Sequence, residues 1–109
     1  HVNAAGNNSW TKRELDTHAI RKADLIACDD IEQAKIECGE LMQAAETGEF
    51  VWDSTVRLDA IVAGLKTARF SDSDITLFES QGVAFEDLAV CARLYELALE
   101  QGIGTRLPD

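Results

Sequence analysis

Three short apolar runs, set apart by stretches with helical spacing, constrain this chain more than any other feature. Val2-Asn3-Ala4-Ala5 stops at Gly6, Asp24-Leu25-Ile26-Ala27-Cys28 stops at Asp29-Asp30, and Ile75-Thr76-Leu77-Phe78 runs on towards Ser80-Gln81-Gly82. Runs this short, bounded by turn residues, have the length of buried strands and not of helices. The intervening stretches carry helix signals. Thr11 and Glu14 have capping-box spacing and Asp16 is a second N-cap candidate, so a helix is expected over Asp16 to Lys22. Asp30 can cap the next helix, in which Ile31, Ala34, Leu41, Ala44 and Ala45 recur; Gly39 weakens its middle and Gly48 ends it. Phe50 to Asp53 reads as a connection, and Leu58, Ile61, Val62 and Leu65 form a short amphipathic helix. The longest helix follows Gly82: Phe85, Leu88, Ala92, Tyr95 and Leu99 line one stripe, Val90, Leu94 and Leu97 widen it, and Gly102 terminates it. Strands alternating with helices imply an α/β fold, a parallel sheet with covering helices.

Three strands make a poor parallel sheet, because parallel strands need both faces covered and neighbours on both edges. The chain also opens on His1 and enters an apolar stretch at once. A longer chain that begins upstream is the expectation, with a partner chain, a processed start or an expression scar as alternatives. Its 109 residues suffice for one small domain. Twenty acidic residues against ten basic ones give a net charge of -10, which argues against nucleic acid and against anionic membranes as partners. No apolar run is long enough to span a bilayer, and no signal peptide pattern opens the chain. Cys28, Cys38 and Cys91 are an odd set without a CxxC pair, and suit a reducing, cytoplasmic setting.

Standard site patterns are absent: there is no GxGxxG, GxxxxGK, HExxH or GxSxG. Gly102-Ile103-Gly104 follows a helix and serves as its terminator. His1 and His18 stand far apart without a nearby cysteine, so no metal site is expected, and His18 reads as a surface residue. Two segments remain, Gly6 to Lys12 and Ser80-Gln81-Gly82. Both follow expected parallel strands, and open α/β sheets bind ligands at the C-terminal ends of their strands. By spacing alone, each reads first as an ordinary connecting loop, and a ligand site is the lesser reading.

Those segments carry a resemblance. His1-Val2-Asn3-Ala4-Ala5-Gly6, Arg13-Glu14-Leu15-Asp16 and the run from Ser71 to Leu88 through Phe78-Glu79-Ser80-Gln81-Gly82, with Ala23-Asp24 and Ala63-Gly64 between them, resemble the C-terminal end of the ornithine cyclodeaminase/μ-crystallin family. The resemblance implies a partial Rossmann-like domain over residues 1–109, its upstream half and a substrate and dimerisation domain lying elsewhere. It implies an NAD or NADP cofactor, an amino-acid or imine substrate, and a homo-oligomer. Family members include ornithine cyclodeaminase, alanine dehydrogenase, imine reductases and the ligand-binding μ-crystallin. In the cyclodeaminase, NAD takes a hydride from the amino-acid α-carbon, ammonia leaves, and the cyclic imine is reduced by the same cofactor.

Carried over residue by residue, the resemblance places Gly6 at the turn near the nicotinamide, Lys12 and Ser80 near the cofactor, and Gln81 in the substrate pocket. Asn8 stands where true ornithine cyclodeaminases have an acid-base aspartate. An amide exchanges no proton near neutral pH, so an amino-acid dehydrogenase or imine reductase is favoured over a cyclodeaminase. The family's glycine-rich phosphate loop has no counterpart here, so this chain alone is expected to bind the cofactor weakly and to be inactive. The alternatives are a non-catalytic module associating through its sheet edge and a ligand-binding protein like μ-crystallin.

Overall fold

A computed structural model describes residues 1–107. Its elements, in chain order, are β1 (Val2–Ala4), α1 (Thr17–Lys22), β2 (Leu25–Cys28), α2 (Ile31–Glu37), α3 (Gly39–Glu46), a 3-10 turn at Trp52–Ser54, β3 (Val56–Arg57), α4 (Leu58–Val62), β4 (Thr76–Glu79) and α5 (Ala84–Gln101). The strands form one parallel sheet in the order β1-β4-β2-β3. β4 is therefore inserted between β1 and β2, with Ala4 and Cys28 both in register with Glu79.

Alternation along the strands gives the sheet two unlike faces. Ala4, Ile26, Cys28 and Leu77 lie on one face, and pack with Ile20, Ala34, Cys38, Leu41, Ala44 and Phe50 into the core. Asn3, Ala27 and Phe78 lie on the other, over which α4 supplies partial cover. The caps behave as their residue types dictate: Asp16 accepts the Ala19 N–H at 2.8 Å, and Asp30 accepts the Gln33 N–H at 2.9 Å.

The expected single helix after Asp30 is two. Cys38 leaves helical geometry at ψ 91°, and α3 restarts at Gly39. A Cβ at Gly39 would collide with the Lys12 carbonyl and stand 2.8 Å from that of Trp10, so the break lets the loop before α1 approach the start of α3. β3 went unread because two residues carry no usable alternation; pairing with Ala27 and Cys28 makes it a strand. α4 ends before Leu65, which is exposed. Thr11 and Glu14 do not cap a helix: Thr11 bonds the Ser9 hydroxyl, and Glu14 reaches back to Gly6.

α5 has 18 residues, none of them buried, and ends at Gly102 in the left-handed conformation, φ 64°. Its apolar stripe is present but largely exposed: Phe85, Leu88, Tyr95 and Leu99 are all about two-thirds exposed. The radius of gyration is 17.5 Å, against about 13 Å for a compact chain of this length. Among the described residues, no helix is long and apolar enough to cross a membrane.

Candidate functional site

The C-terminal ends of β1, β2 and β4 lie side by side, so the loops that follow them meet. The Ser80 N–H donates to the Ala4 carbonyl at 2.9 Å and draws two of those loops together. Gly6 and the Ser80-Gln81-Gly82 turn, picked from distant parts of the sequence, thus belong to one rim.

Asp29, directly after β2, organises that rim. Its Oδ2 accepts three hydrogen bonds: from the Ser80 hydroxyl at 2.9 Å, the Gln81 N–H at 2.9 Å and the Gly82 N–H at 2.8 Å. Its Oδ1 accepts the Asp30 N–H at 2.8 Å. One buried carboxylate therefore fixes the turn between β4 and α5. Sequence reasoning used Asp29 as a strand terminator only; its position right after a strand was the available signal. Gln81 is 5% exposed, yet neither atom of its side-chain amide has a partner within the described residues. A buried amide left this way is costly and calls for a group the chain does not supply.

The loop after β1 is held from within. Asn7 Nδ2 donates to the Lys12 carbonyl at 2.8 Å, the Lys12 N–H donates to the Ser9 carbonyl at 2.9 Å, and the Gly6 N–H donates to Glu14 Oε2 at 2.7 Å. Asn8 and Lys12 are exposed on this loop. Asn7 and Glu14, which shape it, were not singled out from sequence as site residues.

Beneath the loop lies a buried acidic cluster. Cys38 Sγ and one carboxylate oxygen each from Glu40 and Glu79 lie within 4.8 Å of one another. Burial, reinforced by the Glu40 carboxylate, pushes Glu79 up to about 8. Burial and the Glu79 carboxylate likewise push the Cys28 thiol up to about 12 and raise Cys38 as well. Neither thiol is a nucleophile under such conditions.

A groove of about 420 Å³ lies on the opposite face of the sheet, lined by Leu25, Ala27, Leu58, Ile61 and Phe78 among others. Its lining is largely apolar, and the rim residues do not contribute to it.

Residues 1–102 match the model of the ornithine cyclodeaminase/mu-crystallin family. The chain is 40% identical over 108 residues to an alanine dehydrogenase of Archaeoglobus fulgidus, covering 98% of this chain and 33% of the relative. It is 39% identical, with the same coverage, to a Delta(1)-pyrroline-2-carboxylate reductase of Bacillus cereus. Among solved structures it is similar to Thermococcus litoralis Delta(1)-pyrroline-2-carboxylate reductase in complex with NADH and L-proline, with 35% identity and a TM-score of 0.89 over 98% of this chain and 33% of that one. Another is the iminosuccinate reductase of Paracoccus denitrificans in complex with NAD+, with 31% identity and a TM-score of 0.84 over 100% and 33%. The sheet and its helices are part of a Rossmann-like fold, and the chain spans about a third of the length of the relatives it matches.

Proposed function

Because the chain belongs to the ornithine cyclodeaminase/mu-crystallin family, we propose that it is part of a longer NAD(P)-dependent enzyme that oxidises an amino acid or reduces the corresponding imine. Residues 1–109 are then one partial nucleotide-binding domain, and the phosphate-binding half and the substrate and dimer-forming domain belong to the remainder. The observation that carries this reading is the rim itself: the C-terminal edge of a parallel sheet, the place where open α/β sheets bind ligands, with Gln81 buried and unpartnered on it.

The rim suits the nicotinamide end of the cofactor, and nothing in the chain suits the pyrophosphate, for which a glycine-rich turn is needed. When bound, the cofactor supplies the hydride acceptor or donor. The Ser80 hydroxyl has its proton committed to Asp29, so it offers lone pairs to an amide N–H of a ligand. Gly6, without a side chain, lets the ring approach the end of β1, and Lys12 contributes positive charge at the loop. Gln81 can both donate to and accept from a polar substrate group, which would satisfy its amide. Asn8 can orient a substrate or water but moves no proton. This favours dehydrogenase or imine reductase chemistry over cyclisation of ornithine. The unbridged cysteines accord with a cytoplasmic enzyme.

The test is to join the coding sequence upstream of the His1 codon, in frame, to this chain. Calorimetry should then find NAD+ or NADP+ binding, and a screen of amino acids and cyclic imines should find turnover. A whole protein without nicotinamide affinity overturns the proposal, whereas affinity without turnover points to a μ-crystallin-like binder. A second reading rests on β1, whose outer edge has no strand beside it in the sheet. It holds that the isolated chain associates with a second copy through this edge. A strictly monomeric chain in analytical ultracentrifugation rules that out.

A further inference from the structure

Two buried glutamates lie under the loop that carries Asn8, and the chemistry proposed above uses neither. Glu79 is 1% exposed and Glu40 is 2% exposed. One oxygen of each, Glu79 Oε1 and Glu40 Oε2, is buried without a hydrogen-bond partner. None of the ion pairs among the described residues involves Glu14, Glu40 or Glu79. The groups that face the pair are themselves acids or thiols. Glu14 faces it from the loop, Cys38 from the α2–α3 junction, and Cys28 from β2, with Asp29 beyond. One carboxylate oxygen of Glu40 and one of Glu79 lie within 4.8 Å of each other, and two buried carboxylates so close disfavour full ionisation of the pair.

The pair is tied to the loop by named contacts. Glu40 Oε1 accepts the Glu14 N–H at 3.4 Å, and Glu14 Oε2 accepts the Gly6 N–H at 2.7 Å. The Ser9, Trp10 and Lys12 carbonyls rest against Gly39, next to Glu40 in sequence, where any side chain would intrude. On the other side, Glu79 ends β4 and accepts the Cys38 S–H at 3.7 Å.

We propose that Glu40 and Glu79 share one proton, and that this acid–carboxylate pair is a positioning device that pins the Gly6–Glu14 loop against the start of α3. With the proton in place the loop is held in its observed form; with the proton lost, repulsion among Glu14, Glu40 and Glu79 releases it. That the device governs ligand binding rests on the proposed function. That it governs the loop does not.

Hydrogen–deuterium exchange of the loop peptide in the full-length protein, corrected for the intrinsic rate, tests the device without any cofactor. Between about pH 6 and about pH 9, wild-type protection should fall about tenfold or more. Glu79→Gln, whose amide keeps a donor facing Glu40, should stay protected and lose the pH step. A flat wild-type profile overturns the proposal, and so does a Glu79→Gln protein that keeps the step. Should that variant fold poorly, infrared difference spectra of the wild type decide. A protonated carboxyl band present at the lower pH and absent at the higher one is expected, and its absence throughout overturns the proposal. Stoichiometric zinc uptake by the metal-free protein, with release of that proton, overturns it also. Failure of nicotinamide binding with an intact pH step would count against the proposed function alone.

Discussion

Asp29 concentrates three donors on one oxygen, so its loss leaves the buried Gln81 N–H, the part-buried Gly82 N–H and a hydroxyl unanswered at once. Asp29→Ala should destabilise the fold by about 2 kcal/mol or more, read as a shift of the urea midpoint; a change below about 0.5 kcal/mol would show the turn to be held by other means. Gly39→Ala should cost about 1–3 kcal/mol, because its methyl group meets the Lys12 and Trp10 carbonyls and the loop must move. Titration sets a third expectation. Glu79 titrates at about 8 in the folded chain against 4.5 for an ordinary glutamate, so the folded state holds a proton the unfolded state has released. Stability is then full below about 4.5 and declines as the pH rises to about 8, and urea titrations of Glu79→Gln should lack that decline. The resemblance pointed to Ser80 and Gln81, but not to Asp29, Asn7 or Glu14. Asp29 acts by accepting hydrogen bonds from residues some fifty positions away, so its place right after a strand is the one local signal of that role.

The elements were legible where they are long or capped. Asp16 and Asp30 announce α1 and α2 because a side-chain acceptor next to free N–H groups is a local matter. The break at Cys38 and the two-residue β3 were not legible, since the first depends on a loop pressing against Gly39 and the second on pairing with β2. α5 is the converse case: its stripe was read correctly, yet none of its residues is buried among the described residues. Leu94, 59% exposed, is the place to measure this. Leu94→Glu should change the stability of the 109-residue chain by less than about 0.5 kcal/mol, while in the whole protein it should cost about 2 kcal/mol or more. Equal small effects in both would show that the stripe stays in solvent.

At the scale of the molecule, the extents of 57 × 33 × 19 Å describe a small sheet layer with a projecting helix. The exposed helix, the free edge of β1 and the open groove on the second sheet face lack cover among the described residues. That agrees with a chain a third as long as its relatives. On the proposed function, in which upstream residues supply the pyrophosphate contacts, the isolated chain should bind NAD+ at least about 100-fold more weakly than the longer protein, a difference of about 2.7 kcal/mol by calorimetry. Similar affinities for the two would mean that the rim alone holds the cofactor.

From the sequence come the class of fold, the three longer strands, the family resemblance and the two loops singled out as site candidates, because periodicity, caps and spacing are local or patterned properties. Only the tertiary structure inserts β4 between β1 and β2, and with that joins Ser80 to Ala4 at the end of β1, hands the turn to Asp29 and buries Glu40 and Glu79 close together. The physical reason is common to all of these. Strand order, close approach and burial are set by which surfaces meet, and a chain read residue by residue carries no record of the distances between its own distant parts.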